Sequence, residues 1–278
     1  MSNSHEWMNM SFSELWSPGM ILFIILIATL YLFIVDQKEN HLFDKSPVST
    51  GKKVLFLSGL LIIYISLGSP LNFLGHHFLF SAHMIQQSLL LFVAPPLILL
   101  GTPAWVVRPI LRWRAVRVFF VNPWISVIIF NLLLSLYHFP IIFDASLKNH
   151  ILGSAFHITL FITSFLMWWG ITCPIPEFDL LSGLKKMAYI VVNALLLYPA
   201  CVIIIFSKNL LYTSYLEAPQ IIDLFSQQDD QQLGGIIMKI MQEGVQIVAL
   251  AWIFRQWYRL ENKEEPLVET AQSNHLQH

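Results

Sequence analysis

The chain has 278 residues, 56% of them hydrophobic, 12% charged, with a net charge of −1. A soluble domain is about a quarter charged, so this composition excludes an ordinary water-soluble globule. Two cysteines, Cys173 and Cys201, exclude a disulfide framework.

Residues 1–18 contain Glu6 and Glu14 but no lysine or arginine. They lack the basic start of a cleaved leader, so the first apolar block reads as a retained helix. Apolar windows predict seven spans, at 18–35, 54–71, 78–100, 121–140, 150–171, 186–206 and 233–255. Each is long enough to cross a bilayer core of about 30 Å. Each must be helical, because lipid offers the backbone no hydrogen-bond partner. The expected fold is therefore an all-α polytopic membrane protein, a seven-helix bundle over 18–255. A segment at 1–17 precedes it, and a polar tail at 256–278 is expected to be disordered.

Taken in chain order, the third span opens on "HHFLFSAHMIQQ", with His76, His77, His83, Met84 and Gln87. Pro95-Pro96 should bend this span, since each proline removes a backbone donor. In the fourth span Asn131 and Ser135 are spaced for interhelical hydrogen bonding, and "YHFP" places His138 at the exit. His150 starts the fifth span; His157 lies two turns deeper on the same face, about 10 Å along the axis. "MWWG" at 167–170 and "NPW" at 122–124 read as interfacial aromatic belts. The sixth span carries Asn193, Pro199 and Cys201, the last read mainly as a packing residue. "DDQQLGG" opens the seventh, where Asp229 and Asp230 suit a helix N-terminus and Gly234-Gly235 permits close approach. Lys239 and Glu243 then follow at ion-pair spacing; a proton or ion pathway is the sharper alternative.

Basic residues choose the orientation. Thirteen fall on alternate loops and the tail, among them Lys38, Lys45, Lys52, Lys53, Arg108, Arg112, Arg114, Arg117, Lys185 and Lys186. The opposite side holds only Lys148 and Lys208. The positive-inside rule gives an outside N-terminus and a cytoplasmic C-terminus. The run "RPILRWRAVR" is expected to meet anionic lipid headgroups; nucleic acid is not an expected partner.

This orientation gathers His76, His77, His83, His138, His150 and His157 near the outer boundary. Intramembrane histidine usually faces the bundle interior, paired or ligating. Imidazole suits copper, zinc and iron, and thioether sulfur adds a preference for cuprous copper. For His76, His77 and His150 the competing reading is interfacial anchoring or capping. For His83, His138 and His157 it is a structural interhelical hydrogen bond. No nucleotide-binding loop, nucleophile elbow or zinc-protease motif is present, so no enzymatic activity is expected.

Four stretches, "FSAHMIQQSLLLFVAPPLILLGTP", "YHFP", "HITLFITSFLMWWGITCPIPE" and "DQQLGG", together resemble the CtaG family of cytochrome c oxidase assembly factors over roughly residues 55–255. The resemblance implies a seven-span protein of the bacterial plasma membrane that supports assembly of a haem–copper oxidase, with oxidase subunits and membrane lipids as partners. It implies His83, Met84, His138, His157 and Asp230 as site positions. Family members often show His-Met-x-x-His, whereas this chain has Gln87 at the last place, a poor copper ligand beside imidazole. The expected metal ligands are His83, Met84, His157 and His138, with His76, His77, His150, Asp230 and Gln87 at the mouth or in support. Three functions stay open at this stage: copper binding or delivery, haem or quinone binding, and a cofactor-free scaffold for oxidase subunits.

Overall fold

The computed structural model describes residues 11–36, 47–109, 111, 122–216, 218–221 and 226–275. Lys38, Lys45, Arg112, Arg114 and Arg117, which the orientation reading uses, lie outside them. Among the described residues the chain is all helix and turn, with six helices long and apolar enough to cross a membrane, or seven with one bent pair taken as a span. The protein is an all-α polytopic membrane protein.

The long elements are α1 (Pro18–Asp36), α2 (Thr50–Gly68), α3 (Pro70–His77), α4 (Phe80–Gly101), α5 (Pro123–Tyr137), α6 (Pro140–Lys148), α7 (His150–Thr172), α8 (Gly183–Phe206) and α9 (Gln227–His275). Their starts follow local chemistry. Ser49, Asn122 and Asn149 accept hydrogen bonds from the first free amides of α2, α5 and α7. Pro70, Pro123 and Pro140 fall at first-turn positions, where a missing N–H costs nothing.

Helix α4 is the hub. It packs against α2, α3, α7 and α9, and 67% of its most apolar window is buried, against 11% for the peripheral α1. Its prolines leave a local mark on the helix. Residues Leu89–Val93 form a π-turn just before Pro95-Pro96, and the Ala94 amide reaches back five residues to Leu89. Pro95 would otherwise have donated to the Leu91 carbonyl. Trp168 of α7 does so instead, its indole Nε1–H donating at 3.1 Å. Trp168 and Trp169 are both buried, so "MWWG" is core rather than an interfacial belt.

The span expected at 121–140 is not one straight helix. Phe139 precedes a proline and is extended (φ −69°, ψ 127°), because Pro140 crowds it out of the helical region. Helices α5 and α6 therefore meet at 75°. At the C-terminal end, α9 runs past the expected boundary at 255, as a membrane-compatible helix to Asn262 and a helix to His275. Glutamate and lysine at 261–265 are strong helix formers.

Glycines set two helix contacts. A Cβ on Gly234 would collide with Phe80 and press on Met84 of α4, whereas one on Gly235 would lie 2.9 Å from Ile204 and Ile205 of α8. Successive glycines thus serve two different neighbours. Asn131 and Asn193 pair between α5 and α8, Asn131 Nδ2 donating to Asn193 Oδ1 at 2.7 Å.

Candidate functional site: an imidazole cluster at one end of the bundle

Three histidines from three helices converge at one end of the bundle. The ring centres of His76 and His83 are 5.4 Å apart, those of His76 and His157 5.8 Å, and those of His83 and His157 5.9 Å. Close approach of α3 to α4 makes this happen. A Cβ on Gly75 would sit 2.9 Å from both N and Cα of His83, so only glycine lets the chain bring the next residue, His76, over that ring.

Tyr137, at the end of α5, joins the deeper pair. Its hydroxyl lies 3.0 Å from His83 Nε2 and 3.0 Å from His157 Nε2. One hydroxyl proton cannot be given to both rings. At least one imidazole must therefore donate to the phenol oxygen. His83 is buried and its Nδ1 has no partner. A proton on that nitrogen would be an unmet donor, so His83 is best assigned as the Nε2–H donor. His83 then donates to Tyr137, which leaves a free lone pair on His83 Nδ1.

His76 is oriented differently. Its Nδ1–H donates to the Asn72 carbonyl at 2.9 Å, one turn back, which leaves Nε2 as a lone-pair nitrogen. A backbone carbonyl behind one ring nitrogen is the usual way to present the other to a metal. Asn72 is itself held, its Oδ1 accepting from Gln86 Nε2 at 2.7 Å. Burial, the larger influence, holds the His76 pKa below the ordinary histidine value. His77 and His150 lower it further, and the Asn72 carbonyl partly offsets this. The ring is thus neutral near pH 7.

Above the cluster opens a cavity of about 350 Å³ whose walls include Ser69, Asn72, Phe73, His76, His77 and His150. His76 belongs to both cavity and cluster, so it connects them. His77 lies against Phe73, ring centres 4.7 Å apart, and His150 is exposed, with Ser154 3.5 Å from its Nδ1.

The remaining expected residues sit elsewhere. Met84 is fully buried, but its Cγ faces Gly234 of α9. His138 ends α5 with Nδ1–H donating to Leu134 O at 2.7 Å and an unpartnered, buried Nε2. Tyr137 and Phe143 lie against its ring, with centres 5.3 and 6.3 Å away. Gln87 is buried with both amide atoms unpartnered. Asp230 reaches from α9 to cap α4. It accepts from the Phe80 amide at 2.7 Å and from the amide and hydroxyl of Ser81, where Leu79 supplies no side-chain cap. Lys239 and Glu243 form their ion pair at 2.6 Å, in the middle of α9's membrane portion.

Sequence reasoning passed over Asn72, Gln86 and Tyr137, and also two tyrosines in the loop after α8. Tyr212 donates to the His138 carbonyl at 3.0 Å and Tyr215 to that of Gly75 at 2.5 Å, so the loop after α8 pins both histidine-bearing turns. Asp144 fixes that loop by accepting from the amides of Thr213 and Ser214. For Asn72 a signal was there to read, a polar residue four before His76 on one helix.

Among the described residues no three His, Cys, Asp or Glu side chains are aimed at one point as a metal cage. The reason is visible: the Nε2 atoms of His83 and His157 are turned to Tyr137. The spacing nonetheless fits. An ion held at about 2 Å by three imidazole nitrogens keeps the ring centres roughly 5 Å apart, a little closer than here. Neither cysteine joins the cluster. Cys201 lies in the apolar core, and burial is the main cause that pushes the Cys173 thiol up to about 11.

Fold and site define a polytopic helical membrane protein with an imidazole cluster at one end of the bundle. The model of the cytochrome c oxidase caa3 assembly factor family (CtaG) matches residues 29–260. The chain belongs to that family, and cytochrome c oxidase assembly is its role. No curated protein and no solved structure matches it.

Proposed function

We propose that this protein, in the bacterial plasma membrane, takes up copper from the outer side and passes it to the oxidase subunit whose binuclear centre is being built. The single observation that supports this reading is the convergence of His76, His83 and His157 within 6 Å, beneath a cavity that two further histidines line. Copper here is cargo. His77 and His150 offer a first, exposed contact; His76 hands inward; His83 and His157 receive once their rings turn from Tyr137. All are imidazole nitrogen donors, which suit copper. The need to break the phenol bonds keeps affinity moderate, as a donor of copper requires.

The bridging phenol favours this over haem. Two axial histidines need a wide flat slot between them, whereas Tyr137 and Phe143 pack against His83. A second reading has its own support: the His83–Tyr137–His157 chain is a complete hydrogen-bonded tie between α4, α5 and α7, as a cofactor-free scaffold would use.

Purified protein loaded with cuprous copper and desalted should retain about one copper per chain, and the His83→Ala, His157→Ala double variant should fall to background. Full stoichiometry in the double variant would remove this ligand set. Copper-free wild type whose histidine variants still support oxidase assembly would select the scaffold. A Soret band in the same sample would select haem.

A further inference from the structure

The Lys239–Glu243 pair is in an odd place. Lys239 lies nine residues past Asp230, about 14 Å along the helix axis, near the middle of a 30 Å core. Its Nζ is also 3.4 Å from the carbonyl of Ala194, the midpoint of α8, and 4.5 Å over the Tyr198 ring. Yet the pair is not inside the bundle. The Glu243 side chain is 36% exposed, against 16% for Lys239. A bundle that only needed to tie α8 to α9 would bury the pair between them.

The two ends are unequally satisfied. Lys239 has Glu243, a carbonyl and an aromatic face. Glu243 holds Lys239 through Oε1, and its side chain stays part-exposed at a depth where acyl chains have no donor to offer. Ile240, Glu243, Gly244 and Ile247 recur at helical spacing and share one face of α9. Ile240 and Ile247 are exposed, and a Cβ on Gly244 would meet nothing within 4 Å. A half-satisfied carboxylate beside an open glycine is what a close-packing neighbour helix with a polar group uses.

We propose that this α8–α9 face docks a membrane-spanning helix of the oxidase subunit under assembly, one that carries a hydroxyl, amide or ammonium donor at mid-membrane depth to complete Glu243. The proposal rests on the family's assembly role and adds where the client binds. A second copy of this chain is a poor occupant. Two-fold pairing about the membrane normal would set Glu243 against Glu243 and Lys239 against Lys239 at equal depth.

The test uses full-length protein in cells that make the oxidase. A photo-reactive benzoylphenylalanine replaces Ile240 on this face or, as a control, the exposed Ile162 on α7. Position 240 should crosslink to a membrane-spanning peptide of an oxidase subunit and position 162 should not. Gly244→Phe should cut that crosslink at least tenfold. So should Lys239→Met with Glu243→Leu, which leaves neither charge unpaired, and the thermal unfolding of both purified variants should match the parent. Crosslinks from 240 only to lipid or to a second copy, or a yield that neither variant changes, would overturn the docking face. Normal oxidase assembly in cells lacking this chain would instead bring down the assembly role itself.

Discussion

Tyr137→Phe separates the tie that the structure draws from the metal site proposed on it. The substitution keeps the ring, which packs against His138, Phe143 and Phe156, and removes one oxygen bonded to two imidazoles at 3.0 Å each. Without metal, both Nε2 atoms lose their partner. Interhelical hydrogen bonds in membranes average about 0.6 kcal/mol each, and a buried polar atom left unmet costs about 1–3 kcal/mol. The variant should therefore unfold about 2 kcal/mol more easily. With cuprous copper the sign reverses, because metal binding no longer has to break two phenol bonds. Affinity should rise by about 1 kcal/mol, roughly fivefold. Thermal unfolding in detergent and a competition titration with a copper chelator read the two effects on one preparation. Weaker copper binding with unchanged stability would refute the reasoning, since the phenol would then be a ligand rather than a competitor.

Gly75→Ala should lower copper affinity and cost about 1–3 kcal/mol of stability, because its methyl would meet the His83 backbone at 2.9 Å; unchanged behaviour in both assays would mean that α3 yields freely. Asp230→Ala removes the cap on the helix that carries His83 and should cost about 1–2 kcal/mol, read by thermal unfolding, with Asp230→Asn partly restored. Trp168→Phe uncovers the Leu91 carbonyl at the π-turn and should cost about 1 kcal/mol. The pKa of His76 is lowered on folding, so as pH falls through about 6.5 the unfolded chain gains a proton that the folded one refuses. His76 therefore removes stability as pH drops below that value and adds none above it. His76→Ala should flatten the unfolding midpoint between pH 7 and 5.5, and an equally steep fall in the variant would locate the titration elsewhere.

Much of this was legible because lipid simplifies the problem. Blocks of about 20 apolar residues must be helices, and polar residues within them favour one another, as Asn131 and Asn193 do. The depth match of His83 and His157 followed from counting along helices that start at the same boundary. Periodicity says nothing of what joins two such residues, and here it is Tyr137, a residue that reads as apolar in any window. Nor does it show that Met84, adjacent to His83, turns about 100° away toward Gly234. The bend at His138-Phe139 was signalled by Pro140 yet hidden inside an apolar window. Trp168 was misplaced because tryptophan near a span end normally sits at the interface; the carbonyl freed by Pro95 drew it inward.

X-ray absorption on protein carrying one equivalent of cuprous copper puts the proposed site to its most direct test. A shell of nitrogen scatterers near 2 Å, with the outer-shell pattern of imidazole and no sulfur, is the predicted result, and it should vanish in the His83→Ala, His157→Ala variant. A copper–sulfur shell would bring Met84 or a cysteine to the metal, and copper lost on desalting would leave the histidines as structure alone. Either result would contradict an imidazole site for cargo copper.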